Sequence, residues 1–574
     1  MKINLYRPSG WLLGAFLTFG LNLVVSCTTD NPVVVIDNGN DGDDDDDDGI
    51  DRIDDDDYDV TDPSREPLAQ KEYTIMFYGH GGGNLDQSIL LNLRQMYEAE
   101  ASSFNKVNVV VQYKNSTNPA SMTGIQKAVK NFDFKRGSCF RYALDPSQGY
   151  NKKKRPNMQL TDENLYGPMK SNGNLVNMGM ADTLSHFMRW AKQYFPAKKY
   201  ILVLANHGGG YRPDEDMPES VTNSVSTRGV IYDDGFNNKL GDKSHLTATS
   251  ISRAISNADI HLTALYFDAC LMNNLETICE VMDQTDYVLA SSYLTPGMGG
   301  TYAPLINCLA NYPNTENALM EYHKELRQYW QKTEEKNPNY YRYHDNSLMS
   351  MARLKNALPY LGDLTEKLLV CYNFGEVEDK LTINSVMNNA FKVHPTNPYY
   401  DISNILLRLN YEEDLGLVCD AAAEALTVLD NAVLSSIGTK YSEEHYLPGP
   451  SVMLAAEGEW SKVEWSTDKE GMYIINGEWI YSWDGQATYY VSDNGDASKM
   501  TEVTSLNWGS TGDETYGKLR WDDEVGWSEW LKVYDGHPNS YSPTFNNGDF
   551  LDWMIIPEDK LDDFEDWDEE ETDK

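Results

Sequence analysis

The sequence predicts an α/β fold with a mainly parallel β-sheet, and three observations carry that prediction. Short apolar runs rich in β-forming residues alternate along the chain with stretches whose apolar residues recur at helical spacing. The runs are apolar on both faces, which is typical of strands in a sheet that helices cover on both sides. Two runs lead directly into segments with reactive side chains, the position of functional groups in open α/β sheets.

Five strands are predicted, at residues 73–78, 106–113, 200–205, 261–267 and 287–290. Each is rich in Val, Ile, Leu, Tyr or Phe, which fit a pleated and buried backbone. Strands in this order, with a helix between most of them, favour parallel pairing because parallel neighbours need a long crossover.

Helices are predicted between these strands, at residues 85–100 and 181–195 and after Cys270 through Glu276 and Val281. The second of them carries apolar residues three or four positions apart, at Leu184, Phe187, Met188, Ala191 and Tyr194. Such spacing gives one apolar face that can pack on the sheet.

Composition excludes several classes of protein. The 574 residues are 41% hydrophobic, which is too apolar for a chain that is disordered throughout. The net charge of −42 excludes a nucleic-acid binder, since such proteins need a basic surface. The seven cysteines form no CxxC pair and no cluster with zinc spacing, so neither a disulfide framework nor a metal site is predicted from them.

Residues 1–27 are predicted to be a lipoprotein signal peptide. Lys2 and Arg7 precede an apolar run that ends at Val25, too short to span a membrane comfortably, and the run is followed by Ser26 and Cys27. This end resembles the lipobox of bacterial lipoproteins, which implies that Cys27 carries lipid. The protein would then be anchored to a bacterial membrane, the outer membrane in our interpretation, and face the periplasm or the cell surface. The alternative is an ordinary signal peptide with an incidental cysteine.

Two acidic segments hold more than half of the net charge. Residues 37–62 contain 15 Asp and one Arg, and residues 558–574 contain 11 acidic residues and two Lys. Residues 28–66 are therefore predicted to be a disordered tether, and 558–574 an acidic tail. Residues 37–48 partly resemble a calcium-binding EF-hand loop, so calcium is an alternative ligand there, although a solvated tether is favoured.

Two residues at predicted strand ends form a candidate catalytic pair. His207 follows the strand 200–205, and Cys270 follows the strand 261–267. An imidazole can take the proton of a thiol, and the thiolate is the nucleophile in cysteine catalysis. Glycines after His207 allow close backbone approach, so the amides of Gly208 and Cys270 are predicted to form an oxyanion hole.

The strings around these residues resemble the clostripain family of cysteine peptidases. They are Asn206-His-Gly-Gly-Gly210 and Phe267-Asp-Ala-Cys-Leu-Met272, supported by Asp233-Asp234 and by Pro296-Gly297. The resemblance implies a caspase-like αβα sandwich over residues 67–310. It also implies hydrolysis of protein or peptide substrates through an acyl-enzyme by a His207–Cys270 dyad, with no required cofactor and no third catalytic residue.

Two features depart from the family pattern. His80 begins a second His-Gly-Gly-Gly run, which makes it a rival to His207 as base. His207 is favoured because it directly precedes the cysteine-bearing strand, and His80 would then be a residue of the same cleft or a simple turn residue. The family commonly prefers Arg or Lys before the cleaved bond, and Asp268 matches one of the acids used for this. The segment 293–300 has no acid where members often carry one, so a pocket of different specificity remains an alternative.

The polar stretch 211–244 between the candidate residues is long enough to be functional. The resemblance implies self-cleavage there, with Arg228, Lys239 and Lys243 as candidates if the pocket selects basic residues. An unprocessed surface loop is the alternative.

The second half is predicted to contain a helix-rich region at 311–449 and a Trp-rich β region at 450–557. Residues 472–475 and 478–483 suggest a hairpin across an Asn-Gly turn. Trp side chains on a β-face could bind glycan, although filling a core is favoured. Two rival functions follow: a relic peptidase that binds glycan or peptide, and a serine hydrolase, against which the lack of a GxSxG motif counts.

Overall fold

The computed structural model describes most of the chain between residues 67 and 534. The described ranges are 67–128, 136–144, 176–211, 229–237, 243–336, 338, 344–393, 399–454 and 519–534, with the backbone of five short strands between 464 and 503. The predicted signal peptide with Cys27, the tether with its calcium-loop resemblance, and the acidic tail lie outside these residues.

An eight-stranded sheet forms the centre of the molecule. The strands of the described chain up to residue 454 are β1 Lys71–His80, β2 Val107–Lys114, β3 Cys139–Ala143, β4 Ala197–Ala205, β5 Val230–Asn237, β6 Lys243–Leu246, β7 Leu262–Asp268, β8 Thr285–Ala290, β9 Asp345–Ser350, β10 Tyr399–Asp401, β11 Val433–Gly438 and β12 Ser451–Met453. The order in the large sheet is β11-β9-β8-β7-β4-β1-β2-β3. The five strands β8-β7-β4-β1-β2 are parallel, and β3, β9 and β11 pair antiparallel at the edges. The predicted α/β fold with a mainly parallel sheet is confirmed.

Helices cover both faces of the sheet. They are α1 Asp86–Gln95, α2 Met122–Ala128, α3 Ala181–Tyr194, α4 Ala248–Asn257, α5 Leu275–Val281, α6 Tyr302–Asn311, α7 Thr315–Lys336, α8 Met351–Phe374, α9 Val377–Asn388, α10 Ile402–Leu409, α11 Leu417–Ala432, α12 Lys440–His445, α13 Arg520–Val525 and α14 Trp527–Val533. Within β1, Met76 and Tyr78 pack in the core with α3, α4, α5 and α8, while Ile75 and Phe77 pack with α1, α6 and α7. Alternate residues thus enter two cores, which is why the strand is apolar throughout.

The register of the central strands brings their carboxyl ends to one level. Gly79 of β1 lies opposite Ala205 of β4, and Ala205 lies opposite Asp268 of β7. Segments that follow these three strands therefore leave the sheet side by side. This edge is where the candidate residues after each strand meet.

The sheet extends beyond residue 310, the predicted end of the peptidase domain. Strands β9 and β11 come from the segment predicted as helix-rich, and they continue the sheet from β8. The predicted helices of that segment are present as α7, α8 and α11. Its two strands were missed because both are short and lie next to long helices. The helical spacing of apolar residues dominates the sequence pattern there.

The region predicted as Trp-rich β contains both strands and helices. A five-stranded antiparallel sheet has the order β13 Glu464–Trp465, β14 Met472–Ile475, β15 Glu478–Ser482, β16 Tyr489–Ser492 and β17 Met500–Val503. The predicted hairpin is confirmed, since Ile475 pairs with Glu478. The helices α13 and α14 instead bury Trp521, Trp527 and Trp530 in the main core. None of the helices in the described residues is both long and apolar enough to cross a membrane.

Candidate active site

The candidate pair lines one cavity at the carboxyl edge of the sheet. His207 stands two residues after β4, and Cys270 stands two residues after β7. Both line a cavity of about 30 Å³ together with Asp268 and residues of the segment 295–299. Their exposed fractions are only 6% for His207 and 5% for Cys270, so the reactive groups are largely shielded from water. The parallel register of β4 and β7 is what brings together residues that lie 63 positions apart.

The backbone at Gly208 runs directly against the backbone of Cys270. A Cβ atom added at Gly208 would lie 2.1 Å from the carbonyl oxygen of Cys270 and 3.0 Å from its amide nitrogen. No side chain fits in this space, so the position requires glycine for close approach. The two predicted oxyanion-hole residues are therefore in contact through their main chains.

The segment after Cys270 is held in an unusual conformation. Leu271 has a φ of +61°, a left-handed conformation that costs a non-glycine residue roughly 1 kcal/mol or more. Its amide donates to the carbonyl of Tyr293 at 2.9 Å. The amide of Thr295 lies 3.4 Å from Sγ of Cys270 and donates to it. A sharp turn supported from the segment 293–295 therefore presents the sulfur at the end of β7.

The helix that follows Cys270 does not start directly next to the thiol. Helix α5 starts at Leu275, and Asn274 caps it by accepting from the amide of Thr277 at 2.9 Å. Residues 271–274 separate the sulfur from the first turn. The helix predicted through Glu276 and Val281 is confirmed, but it does not begin at the nucleophile.

Asp268 is a buried carboxylate at the wall of the cavity. Its Oδ2 accepts from the hydroxyl of Tyr302 at 2.5 Å and from the amide of Gly300 at 3.0 Å. Its Oδ1 has no hydrogen-bond partner among the described residues. Burial raises the pKa of Asp268 to about 6, because desolvation outweighs the two hydrogen bonds.

The wall of the cavity at residues 295–300 is fixed by distant parts of the chain. Asn92 of α1 donates to the carbonyl of Met298 at 2.9 Å, and Trp330 of α7 donates to the carbonyl of Gly299 at 3.2 Å. Gly299 has a φ of +61° and passes so close to Asp268 that a Cβ there would lie 2.3 Å from Oδ2. The loop is therefore rigidly set against the carboxylate.

Asp345 supports the same segment from β9. Its two carboxylate oxygens accept from the amides of Ser292 at 2.9 Å and Tyr293 at 2.7 Å. Desolvation by burial raises the pKa of Asp345 to about 7, and repulsion from the buried Asp401 adds to this. The carboxylate thus fixes Ser292 and Tyr293, and Tyr293 accepts the hydrogen bond from the chain turn after Cys270.

His80 lies apart from the cavity, in a buried cluster of charged residues. Its Nε2 is 3.0 Å from Oδ1 of Asp233 and 3.6 Å from Asp234. The ammonium of Lys114 lies 2.7 and 2.8 Å from the two oxygens of Asp233. Burial alone would raise the pKa of Asp233, but its contacts with His80 and Lys114 hold that pKa well below the usual range.

The same cluster contains the ligand types of a metal site. His80, Asp233 and Asp234 bring ligand atoms within 4.8 Å of one another. Asp233 also accepts from the amides of Met178 and Gly235, at 2.8 and 2.9 Å. Because the ammonium of Lys114 already contacts both oxygens of Asp233, it takes the place that a cation would occupy. These residues do not fit a metal ion.

A further polar side chain contacts His207. The Oδ1 of Asn84, in the loop after β1, lies 2.6 Å from Nε2 of His207. Asn206 next to His207 is also tied to this region, since its Nδ2 donates to the carbonyl of His80 and its Oδ1 accepts from the amide of Tyr232 at 2.9 Å.

The family can be assigned from the matched part of the chain. The model of the clostripain family matches residues 77–468, which is more than half of the sequence. The chain belongs to the clostripain family. This confirms the family resemblance predicted from the strings around His207 and Cys270, and it supports the prediction of a cysteine-type hydrolase.

Individual relatives within the clostripain family are distant. Clostripain from Hathewaya histolytica is 26% identical over 264 residues, which are 45% of this chain and 46% of that protein. The chain thus matches just under half the length of this curated relative. An X-ray structure of a secreted C11 cysteine protease from Bacteroides thetaiotaomicron with an irreversible peptide inhibitor is 15% identical, with a TM-score of 0.45, over 80% of this chain and 99% of that one. An inactive zymogen C11 protease from Parabacteroides distasonis is also 15% identical, with a TM-score of 0.40 and the same two coverages, 80% and 99%.

The candidate self-cleavage residues of this clostripain-family chain are mostly outside the described residues. Arg228 and Lys239 lie in segments that are not described, and Lys243 is the first residue of β6. The chain enters β5 close to the site, because the amide of Gly209 donates to the carbonyl of Gly229 at 2.9 Å and Gly208 bridges to Val230. Self-cleavage therefore stays a prediction.

The sequence did not identify three residues that contact the site in this clostripain-family chain. Asn84 could have been suspected, since it follows directly on the first His-Gly-Gly-Gly run. Thr295 acts through its backbone amide, and Asp345 lies 75 positions beyond Cys270 in a segment with helical patterns on both sides. Neither of these two carries a local sequence signal.

Proposed function

We propose that this chain is a cysteine endopeptidase. The thiolate of Cys270 attacks the carbonyl carbon of a peptide bond, and His207 accepts the thiol proton. His207 then gives the proton to the leaving amine, which departs as the acyl-enzyme forms. Water, deprotonated by His207, hydrolyses the thioester and restores the thiol. The single observation that carries the proposal is that His207 and Cys270, which follow the adjacent parallel strands β4 and β7, line one cavity.

The oxyanion of the tetrahedral intermediate is stabilised by backbone amides. We assign this role to the N–H groups of Gly208 and Cys270. The amide nitrogen of Cys270 lies 3.0 Å from the Cβ position of Gly208, so the two main chains are close enough to converge on one oxygen. Donors fixed by the backbone need no reorganisation when the charge develops.

We further propose that the enzyme prefers Arg or Lys before the cleaved bond. Asp268 lines the cavity, and its Oδ1 accepts no hydrogen bond from the described residues. An unpartnered buried carboxylate oxygen is costly, and a guanidinium or ammonium group of the substrate would satisfy it. Pairing with such a cation also favours the ionised form of Asp268.

The enzyme is proposed to act outside the cytoplasm, anchored by lipid on Cys27 and held off an outer membrane by the acidic tether. The support is the sequence of residues 1–66 alone. Metabolic labelling with a palmitate analogue tests it: the wild-type chain should be labelled and fractionate with membranes, and Cys27→Ala should be neither labelled nor membrane-bound. Labelling that survives Cys27→Ala would refute the assigned lipid site.

A panel of fluorogenic peptides that varies the residue before the cut tests the activity. Wild-type protein should cleave peptides with Arg or Lys there, and Cys270→Ala should cleave none. Cys419→Ala is the matched control, because that half-exposed thiol lies at α11 and should be dispensable. The mechanism fails if Cys270→Ala retains cleavage, and the peptidase assignment fails if no peptide is cut by the wild-type protein, before or after proteolytic activation. The intact mass of both proteins also shows whether cleavage between 211 and 244 depends on Cys270.

A further inference from the structure

The first His-Gly-Gly-Gly run, His80 to Gly83, has no role in the proposed chemistry, although it resembles the run at His207. In the structure His80 is the last residue of β1, Gly81 to Gly83 begin the loop between β1 and α1, and this loop continues beside the candidate base. Asn84, its next residue, places Oδ1 at 2.6 Å from Nε2 of His207. The residue that follows the first run thus contacts the histidine of the second run.

His80 is not placed to act as the base, because it does not line the cavity and its ring nitrogens face other groups. Its Nδ1 accepts from the amide of Gly82 at 2.8 Å, so this nitrogen carries no proton. Its Nε2 then carries the proton and lies 3.0 Å from Oδ1 of Asp233. The side chain is fully buried, and it does not line the cavity of Cys270.

His80 and its neighbours instead fix the loop that carries Asn84. The amide of Gly83 donates to Oγ of Ser116 at 2.7 Å, and the carbonyl of Gly83 accepts from the amide of Ala120 at 2.6 Å. Gly82 has a φ of +57°, and a Cβ there would lie 2.7 Å from the side-chain nitrogen of Asn206. The loop is therefore pinned to the segment after β2 and to the residue that precedes His207.

The contact with Asn84 determines which nitrogen of His207 carries the proton in the neutral imidazole. An amide oxygen can only accept, so a contact at 2.6 Å with Oδ1 requires a proton on Nε2. In the neutral imidazole the other nitrogen, Nδ1, is then unprotonated. In the imidazolium both nitrogens carry protons, and the contact with Asn84 persists. The same hydrogen bond therefore serves His207 before and after it takes a proton.

We propose that Asn84 is a positioning residue for the catalytic base: it holds the Nε2–H of His207 and leaves Nδ1 as the nitrogen that exchanges protons with Cys270. This rests on the proposed peptidase function. Asn84 would thus join His207 and Cys270 as a third residue of the site. The first glycine-rich run would serve to hold Asn84 in position. Because the amide is neutral, Asn84 fixes orientation and tautomer without adding charge.

The variants Asn84→Ala and Asn84→Asp test the proposal, with Asn105→Ala at an exposed position as the matched control. Two readouts are measured against pH: kcat and KM for the best peptide, and the rate at which iodoacetamide alkylates Cys270, followed by mass spectrometry. Asn84→Ala should lower kcat by roughly 10- to 100-fold and change KM by less than about threefold, since orientation of the base affects the chemical step. Thermal melting of each variant establishes that the fold is retained.

Asn84→Asp keeps an acceptor for Nε2–H but adds a negative charge. It should keep most of kcat and move the basic limb of the pH profile upward by about one unit, because the carboxylate stabilises the imidazolium. Equal losses in both variants with unmoved pH limbs would mean a merely structural role, and wild-type values in Asn84→Ala would overturn the proposal outright.

The alkylation arm separates this proposal from the proposed function. If no peptide is cleaved, the peptidase assignment fails, but the pH dependence of alkylation at Cys270 still reports the imidazole beside it. An alkylation profile in Asn84→Ala and Asn84→Asp that is identical to wild type rejects the role of Asn84, whatever the peptide assay gives.

Discussion

The carboxylate of Asp345 accepts the backbone amide of Tyr293 at 2.7 Å, and the carbonyl of Tyr293 accepts the amide of Leu271 at 2.9 Å. A buried acid on β9 is thus linked through one residue to the turn that presents Cys270. The relationship joins two parts of the chain that the sequence alone placed in different regions. It also makes the stability of the turn sensitive to the ionisation of a buried group.

Asp345 should make the folded state less stable as pH rises from about 4 to 7. Its folded pKa of about 7 lies above the value of an unfolded aspartate, so the folded state binds the proton more tightly. Stability from this group is complete below the unfolded pKa and is lost as pH rises through the folded one. The unfolding free energy of the wild-type protein, relative to that of Asp345→Asn, should therefore fall across this window by an amount on the order of a few kcal/mol. Melting temperatures of both proteins, measured against pH, check this.

Asp363→Asn, an exposed change on α8, is the control for that comparison and should give a curve parallel to wild type. If the difference between wild type and Asp345→Asn stays constant from pH 4 to 7, the buried carboxylate does not titrate in this range.

Asp268 should control the preference for a charged substrate residue. Peptides that differ only by arginine or its neutral isostere citrulline before the cut isolate the charge. The ratio of kcat/KM for the two should be large at pH 8 in the wild type and fall as pH drops below about 6, where Asp268 becomes protonated. Asp268→Asn should lower the ratio to near one at every pH. Discrimination that persists in Asp268→Asn would place the specificity elsewhere.

Gly208→Ala should nearly abolish turnover. The added Cβ would lie 2.1 Å from the carbonyl oxygen of Cys270, so the two backbones must separate and the predicted oxyanion donors diverge. Loss of one such donor costs about 100- to 1,000-fold in kcat. Gly362→Ala on α8 is the control: its Cβ would also make a close backbone contact, 3.2 Å from the carbonyl of Glu524, but Gly362 does not line the cavity. Wild-type kcat in Gly208→Ala would contradict the assigned oxyanion hole.

Lys114→Met should destabilise the fold strongly. Lys114 contacts both carboxylate oxygens of Asp233 in a fully buried setting, and removal of one partner leaves a buried charge uncompensated. Such losses cost roughly 3–5 kcal/mol. Denaturant unfolding should register this loss, whereas Lys324→Met, which breaks an exposed pair with Glu321, should leave the unfolding midpoint close to that of the wild type. Equal effects of the two changes would mean that the buried pair of Lys114 and Asp233 does not stabilise the fold more than an exposed pair does.

The local patterns of the sequence were sufficient for the strands, several helices and the reactive residues at strand ends. A strand that is buried on both faces appears in the sequence as a nearly continuous apolar run. In β1 both faces enter apolar cores, and every residue from Tyr73 to Tyr78 is buried. The spacing of His207 and Cys270 behind two such strands then follows from parallel topology. The turn glycine at 208 was also readable, since only glycine allows the close approach found there.

The Trp-rich region shows the limit of composition. A tryptophan side chain has a large apolar surface in any environment. The spacing of Trp521, Trp527 and Trp530 did not distinguish a glycan-binding face from a core. The structure buries all three. Burial depends on what packs against a residue, which is a property of the whole fold.

By itself, the sequence determined a mainly parallel α/β fold, the family, and the candidate chemistry of His207, Cys270 and Asp268. It favoured His207 over His80 as the base only by chain order, because His207 directly precedes the cysteine-bearing strand and both residues begin the same four-residue run. The tertiary structure places the two histidines in different surroundings: His80 contacts Asp233, whereas His207 lines the cavity of Cys270 and contacts Asn84 across 123 positions of sequence. The physical reason is that hydrogen-bond partners are set by register and long-range packing, which leave no periodic signal in the chain.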